Sequence, residues 1–314
     1  MLLYSHPHYS CKDACLAFHE GLWHIFFSAF DEERSVVAKV TSPDLKHFSE
    51  LEILFDGQEQ GWIGMCSPDL ARSEDGWVLV FNSWGMKTGA PNALHVSCST
   101  DLIHWSPAER LAPNLAQEDR VIDGALAWTG SGWMLACKWW RQLRFAHTPS
   151  LEGPWDWVEE AGAQLLDAES GEDNGYKHEN FQILFLDGRW VLLSTDYVPG
   201  QLHHHPWLYE LIGDPANPHS WMRWHQGRRL QVEAEAWNHL DPDNAAALWD
   251  HRDQDGHFYL IYGGKDEQRL HDFNGSASAE KAWPRGWNRL GLARSSDLIT
   301  WHTSPEPSHQ TGNV

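Results

Sequence analysis

Three acidic residues stand at comparable distances before a recurring glycine. Asp13 is eight residues ahead of Gly21, Asp123 nine ahead of Gly132, and Glu179 nine ahead of Gly188. Pro68 and Asp69 hold the same place, eight and seven residues before Gly76. Each acid sits at the start of an apolar run, where a sheet core would favour valine. Carboxylates gathered round one pocket cannot all ionise freely. At least one keeps its proton near neutral pH while another stays charged, which is an acid beside a base. An acid and a base flanking a bond suit glycoside hydrolysis: the acid protonates the departing oxygen and the base activates water. A third carboxylate can tune the acid and hold sugar hydroxyls.

The elements that must position these residues are repeats. "HEGLWHIFFSAF", "SEDGWVLVFNSW", "TGSGWMLACKWW", "LDGRWVLLSTDY" and "QDGHFYLIYGGK" share a turn, an aromatic residue and an apolar strand. Their glycines, Gly21, Gly76, Gly132, Gly188 and Gly256, are 55, 56, 56 and 68 residues apart. Glycine supplies the positive φ of a tight hairpin turn, and the aromatic residues fill a sheet face. A second motif follows: "SPDLKHF", "STDLIHW" and "SSDLITW", with looser versions in "TPSLEGPW" and "DPANPHSW". Its Ser and Asp side chains suit backbone hydrogen bonding and its Trp suits packing between units, so this turn reads as structural.

Four short strands per unit and five units predict an all-β, five-bladed β-propeller with four antiparallel strands per blade. The chain reads as one domain over 1–314, with blades at 11–57, 62–112, 121–160, 177–232 and 240–304. The innermost strands of a propeller converge on a central channel, so Asp13, Asp123 and Glu179 are expected at one mouth, with Asp69 and Asn244 offered from blades two and five. Trp84, Trp140, Arg141 and Tyr197, which follow inner strands, are the expected substrate-binding residues, with Trp62 and Trp139 as further aromatic candidates.

The formal net charge of −21, from 23 Lys+Arg and 44 Asp+Glu, opposes a nucleic-acid partner and favours a neutral small-molecule ligand. No long apolar window indicates a membrane span, and "MLLYSHPHYS" lacks the form of a signal peptide, so a cytoplasmic location is expected. The five cysteines show no paired zinc spacing and read as mainly buried, reduced thiols. "HPH" and "HHH" (His203 to His205) read as solvated loop histidines. Nothing in the sequence sets an oligomeric state.

"CKDACLAFHEGLWHIFFSAF", "VIDGALAWTGSGWMLACKWW" and "KHENFQILFLDGRWVLLSTDY", with the Ser-x-Asp-Leu-x-x-Trp turns, resemble the five-bladed glycoside hydrolases, especially family 43 and its relative family 117. The resemblance spans nearly the whole chain. It implies an inverting glycosidase in which Asp13 is the general base, Asp123 orients and tunes the acid, and Glu179 is the general acid. Family 117 uses a histidine as acid, which makes His178 a rival to Glu179. Departures are Ala14 after Asp13, where family 43 has proline, and Asn180 after Glu179, where it has Gly-Pro; the fructan-cleaving motifs are missing. The expected substrate is a plant- or algal-type oligosaccharide, of arabinofuranosidase, xylosidase or galactosidase kind. No cofactor is required, although the resemblance allows a calcium or sodium ion on the axis near His239. Two alternatives stand beside this one: a non-catalytic carbohydrate-binding or interaction propeller, and a phosphorolytic relative using Lys138, Arg141 and Arg144 as an anion cluster.

Overall fold

The computed structural model describes residues 1–31, 34–58, 61–85, 91–115, 120–175, 177–197, 204–266 and 287–303. Five sheets form a ring. Blade one runs Ser10–His19, Leu22–Phe30, Ser35–Ser42 and Glu52–Phe55. Blade two runs Gly64–Ser73, Gly76–Trp84, Leu94–Ser99 and Glu109–Arg110. Blade three runs Val121–Trp128, Trp133–Trp139, Gln142–Thr148 and Asp156–Trp157. Blade four runs Lys177–Leu186, Arg189–Tyr197, Pro206–Leu211 and Arg223–Arg229. Blade five runs Asp241–Asp250, Phe258–Asp266 and Trp287–Ser295. The first strand of each blade touches those of both neighbours, closing the circle between blades five and one.

Two blades depart from the expected boundaries, and one of them from the four-strand count. Blade five takes its outer strand from the other end of the chain: Leu2–Tyr4 pairs antiparallel with Trp287–Ser295, Leu2 opposite Gly291 and Tyr4 opposite Leu290. The blade is therefore not contained in 240–304. It is stitched shut by residues that precede blade one. Blade four gains a fifth, outermost strand, Gln164–Asp167, parallel to Arg223–Arg229 and outside the expected 177–232.

Blades stack face to face, so both faces of most strands are buried and simple alternation gives way to near-continuous apolar runs. Leu22–Phe30 is buried at all but its first position. The Ser-x-Asp-Leu turns behave as structural devices. In blade two the Ser99 hydroxyl accepts from the Leu102 amide (2.9 Å), and Asp101 Oδ1 accepts from the Ile103 and His104 amides (2.8 Å each). Blade one repeats this with Ser42 and Asp44, and blade five repeats the Asp297 contacts. These bonds hold Leu45, Leu102 and Leu298 at positive φ and drive their side chains into the core. The aromatic residue that follows packs back toward the preceding blade, Trp105 meeting Phe26 edge-on at 5.5 Å. Blade three's longer turn leaves Leu151 only half-buried, and a cleft of about 520 Å³ opens there between blades two and three.

The repeated glycines do not all act alike. Gly21, Gly76, Gly188 and Gly256 take positive φ, whereas the positive-φ residue of the blade-three turn is Gly130. Gly132 is needed for space: a Cβ there would lie 2.7 Å from the Thr148 carbonyl oxygen. Gly256 caps the short helix Arg252–Asp255.

Candidate active site

Every innermost strand is interrupted at the same level. The pairing register slips between Lys12 and Cys15, Cys66 and Asp69, Ile122 and Ala125, Glu179 and Gln182, and Asn244 and Ala247. At each slip one residue takes positive φ: Asp13, Ser67, Asp123, Asn180 and Ala245. A bulge re-aims the side chain it carries. Because Ser67 and Ala245 share the conformation, it belongs to the fold, and blades one and three have placed carboxylates on it. Glu179 is not on this ring. The sequence expectation of one shared register is corrected: the blade-four equivalent of Asp13 and Asp123 is Asn180, and Glu179 lies one residue nearer the mouth, level with Lys12, Cys66, Ile122 and Asn244.

The structure nevertheless brings the three acids together. Asp13 is buried (4% exposed); its carboxylate accepts from Ser28 Oγ (2.9 Å) and Asn180 Nδ2 (3.2 Å) and lies 3.4 Å from Lys12 Nζ. Asp123 is 6% exposed, and its amide donates to Asn82 Oδ1 at 3.0 Å. Burial pushes the Asp123 carboxyl up to about 6; nearby Lys138 opposes the rise, and Glu179 and Asp13 add to it. Glu179 keeps 30% side-chain exposure and accepts a hydrogen bond from Lys138 Nζ. Burial works against its ionisation, but Lys138, with Lys12 and His204 beyond, outweighs burial and holds Glu179 well below the usual carboxylate range. The acids are thus differentiated: Asp123 is the readier to carry a proton, and Glu179 is charged. Beneath them the axis narrows to a cavity of about 20 Å³ lined by Asp13, Asp69, Asp123 and Ala245, room for about one water. That space is too small for a sugar.

A second ring, which the sequence reading missed as a ring, braces the first. Opposite the residue before each bulge, the neighbouring strand presents Ser28, Asn82, Lys138, Thr195 and Gly263. Three of these reach the next blade: Ser28 Oγ accepts from the Ser67 amide (2.7 Å), Asn82 from the Asp123 amide, and Lys138 donates to Glu179. Their signal was available, since each stands six or seven residues after a repeated glycine. Also missed was a buried polar cluster between blades four and five. Asp241 accepts from the His204 amide (3.0 Å), Lys265 Nζ (2.8 Å) and Asn244 Nδ2 (2.7 Å), and Asp243 meets His205 Nδ1 at 2.9 Å.

Other expected site residues scatter. His178 is buried inside blade four, its Nδ1 2.9 Å from Ser194 Oγ and its Nε2 3.3 Å from Asn174 Oδ1; burial lowers the ring to about 4, so it is neutral and no rival acid. Strand alternation turns it away from Glu179. Asp69 falls below the bulge and lines the narrow cavity, out of reach of a substrate. Asn244 is at the mouth level but spends its amide on Asp241. Arg144 does not join an anion cluster: its guanidinium lies between Trp139 (4.8 Å) and Trp157 (4.0 Å) and donates to the Glu159 carbonyl. Arg141 and Trp140 sit exposed at the mouth-side turn of blade three, Trp140 at 56%. Trp84 ends its strand at the mouth, with Arg120 5.7 Å from its ring. Tyr197 ends the corresponding strand of blade four; its side chain lies outside the described residues. His204 and His205 are partly buried and carboxylate-paired, not solvated, and His203 lies outside the described residues. His239 is exposed and its Nδ1 is 3.1 Å from the Ala236 carbonyl oxygen; among the described residues no group of three or more His, Cys, Asp or Glu is placed to hold a metal ion. Among the cysteines, all of them free, Cys98 is exposed.

Fold and site together define a five-bladed propeller with a carboxylate-lined mouth. Solved structures of this architecture include a family-43 endo-arabinanase from Bacillus licheniformis, at TM-score 0.60 and 10% identity over 94% of this chain and 96% of that one. A thermostable family-43 glycoside hydrolase matches at TM-score 0.60 and 12% identity, over 97% and 98%. The catalytic domain of a family-62 α-L-arabinofuranosidase from Coprinopsis cinerea matches at 0.56 and 15%, over 91% and 90%. The chain has the propeller fold of the family-43 hydrolases. No protein-family model and no curated protein sequence matches it.

Proposed function

We propose that the protein is an inverting glycoside hydrolase that releases a sugar from an oligosaccharide of arabinofuranoside, xyloside or galactoside type. The observation that carries the reading is the meeting of Asp13, Asp123 and Glu179, from three blades, at one end of the inner strands in unlike environments, Asp13 and Asp123 buried and Glu179 partly exposed. Asp13, fixed by Ser28 and Asn180, is placed to take a proton from water as that water attacks the anomeric carbon. Glu179, the most open of the three, protonates the departing glycosidic oxygen. Asp123, buried beside both, holds the proton reserve and orients the acid. The fold shared with arabinanases supports this substrate class, and the exposed Trp140 offers a ring face to a sugar.

A screen against chromogenic arabinofuranosides, xylosides and galactosides tests the proposal. Asp13→Asn and Glu179→Gln should each lower kcat by about 10²–10⁴-fold on an unactivated linkage while calorimetry still detects sugar binding. Unchanged turnover in either variant overturns the assignment. Saccharide binding without turnover by the unaltered protein would instead mark a binding propeller.

A further inference from the structure

An acid catalyst must hold a proton when the substrate arrives, yet here a lysine occupies the carboxylate assigned to that task. Lys138 is the sole charged residue among the five equivalent second-ring positions, the others being Ser28, Asn82, Thr195 and Gly263. It stands opposite Ile122, beside Asp123 on the inner strand of its own blade, and its ammonium bonds Glu179 of the next. Its side chain is 12% exposed, so nearly all of its environment is protein. The charged groups that face it are Glu179, Asp123 and Arg120; Lys12 and His204 act on Glu179 in addition, and Asp13 on Asp123.

From this arrangement we infer that Lys138 is a positioning residue that exchanges partners during turnover, leaving Glu179 for Asp123 when a sugar enters, so that the acid acquires its proton only in the occupied site. The inference rests on the assignment of Glu179 as acid. Two carboxylates, one ammonium and one proton make a neutral set, and the exchange conserves that charge. The proton passes from Asp123 to Glu179 as the ammonium passes from Glu179 to Asp123. Glu179 then gives the proton to the glycosidic oxygen as the bond to the anomeric carbon breaks, and water completes the new bond, losing its proton to Asp13. Asp13 then releases that proton to solvent, and solvent returns one to the set, so the cycle closes with no net proton change. An empty site would thus hold no exposed acid, because the ammonium keeps Glu179 charged.

The test is the pH profile of kcat/KM on an unactivated glycoside. An ammonium this close favours ionised carboxylates, so Lys138→Met should move the alkaline limb upward by about one pH unit or more. Lys138→Arg should restore the limb. A dinitrophenyl glycoside, whose leaving group needs no protonation, should lose the alkaline limb in both Lys138→Met and the unaltered protein; a limb that still differs between them on that substrate overturns the inference. An alkaline limb that does not move overturns the inference even if Glu179→Gln is inactive. A fully active Glu179→Gln instead overturns the acid assignment itself. Should Lys138→Met fail to fold, carboxyl ¹³C titration of the unaltered protein decides: Glu179 must stay charged through the range in which Asp123 titrates, near 6, and the order must reverse with a non-hydrolysed thioglycoside bound. A Glu179 that titrates near neutral pH in the free protein contradicts the exchange.

Discussion

Asp69 shows how one buried carboxyl can be mistaken for a ligand contact. It shares the rough distance to a glycine that marks Asp13 and Asp123, but their blade-two equivalent is Ser67, and Asp69 lies two residues deeper, facing a cavity too small for sugar. Burial pushes it up to about 8, against the pull of the Leu70 and Leu126 amides. An unfolded chain releases this proton near 4. Between those values the folded state binds more proton than the unfolded state, so the stability tied to Asp69 is whole below the lower value and drains away as pH rises through the higher. Asp69→Asn mimics the protonated form. Thermal melts should show the variant gaining on the unaltered protein from about pH 4 to about pH 8, with a constant gap above; parallel curves throughout would refute it. The carboxylates were legible in the sequence as types and approximate places. Their exact faces were not, because the repeated glycine holds different places in turns of different length: Asp13 and Asn180 both stand eight residues before theirs, whereas Asp123 stands nine before Gly132, and a nine-residue count in blade four picks out Glu179 instead.

At the scale of elements, the glycine hairpins and the Ser-x-Asp-Leu turns were readable because each needs a specific residue type at a specific backbone shape. Leu102 illustrates the demand: two hydrogen-bonding side chains hold it at positive φ (61°), and it is fully buried. Leu102→Ala removes that burial without altering the polar frame and should cost about 2–5 kcal/mol in chemical denaturation. A loss under about 0.5 kcal/mol would show that the turn does not anchor the blade. The second ring was not read because its members differ in kind: serine, asparagine and lysine share no motif, only a distance from a turn. His178 was misread for a related reason, since adjacency in a strand places neighbours on opposite faces.

For the whole molecule, five units were countable from spacing, but how the circle closes was not. A three-residue strand, Leu2–Tyr4, carries no pattern of its own and gains meaning only beside Trp287–Ser295. Closure is also what gives the acids a function, since residues more than 160 positions apart, such as Asp13 and Asn180, become hydrogen-bond partners. The net charge of −21 coexists with a mouth where Lys12, Lys138 and Lys265 each pair with a carboxylate. The most direct measurement of the proposed reaction is proton NMR of the first sugar released from a glycoside of known anomeric configuration. A base and an acid acting from opposite sides of the ring require the product to appear with the opposite configuration before mutarotation. Release with the original configuration would contradict the roles given to Asp13 and Glu179.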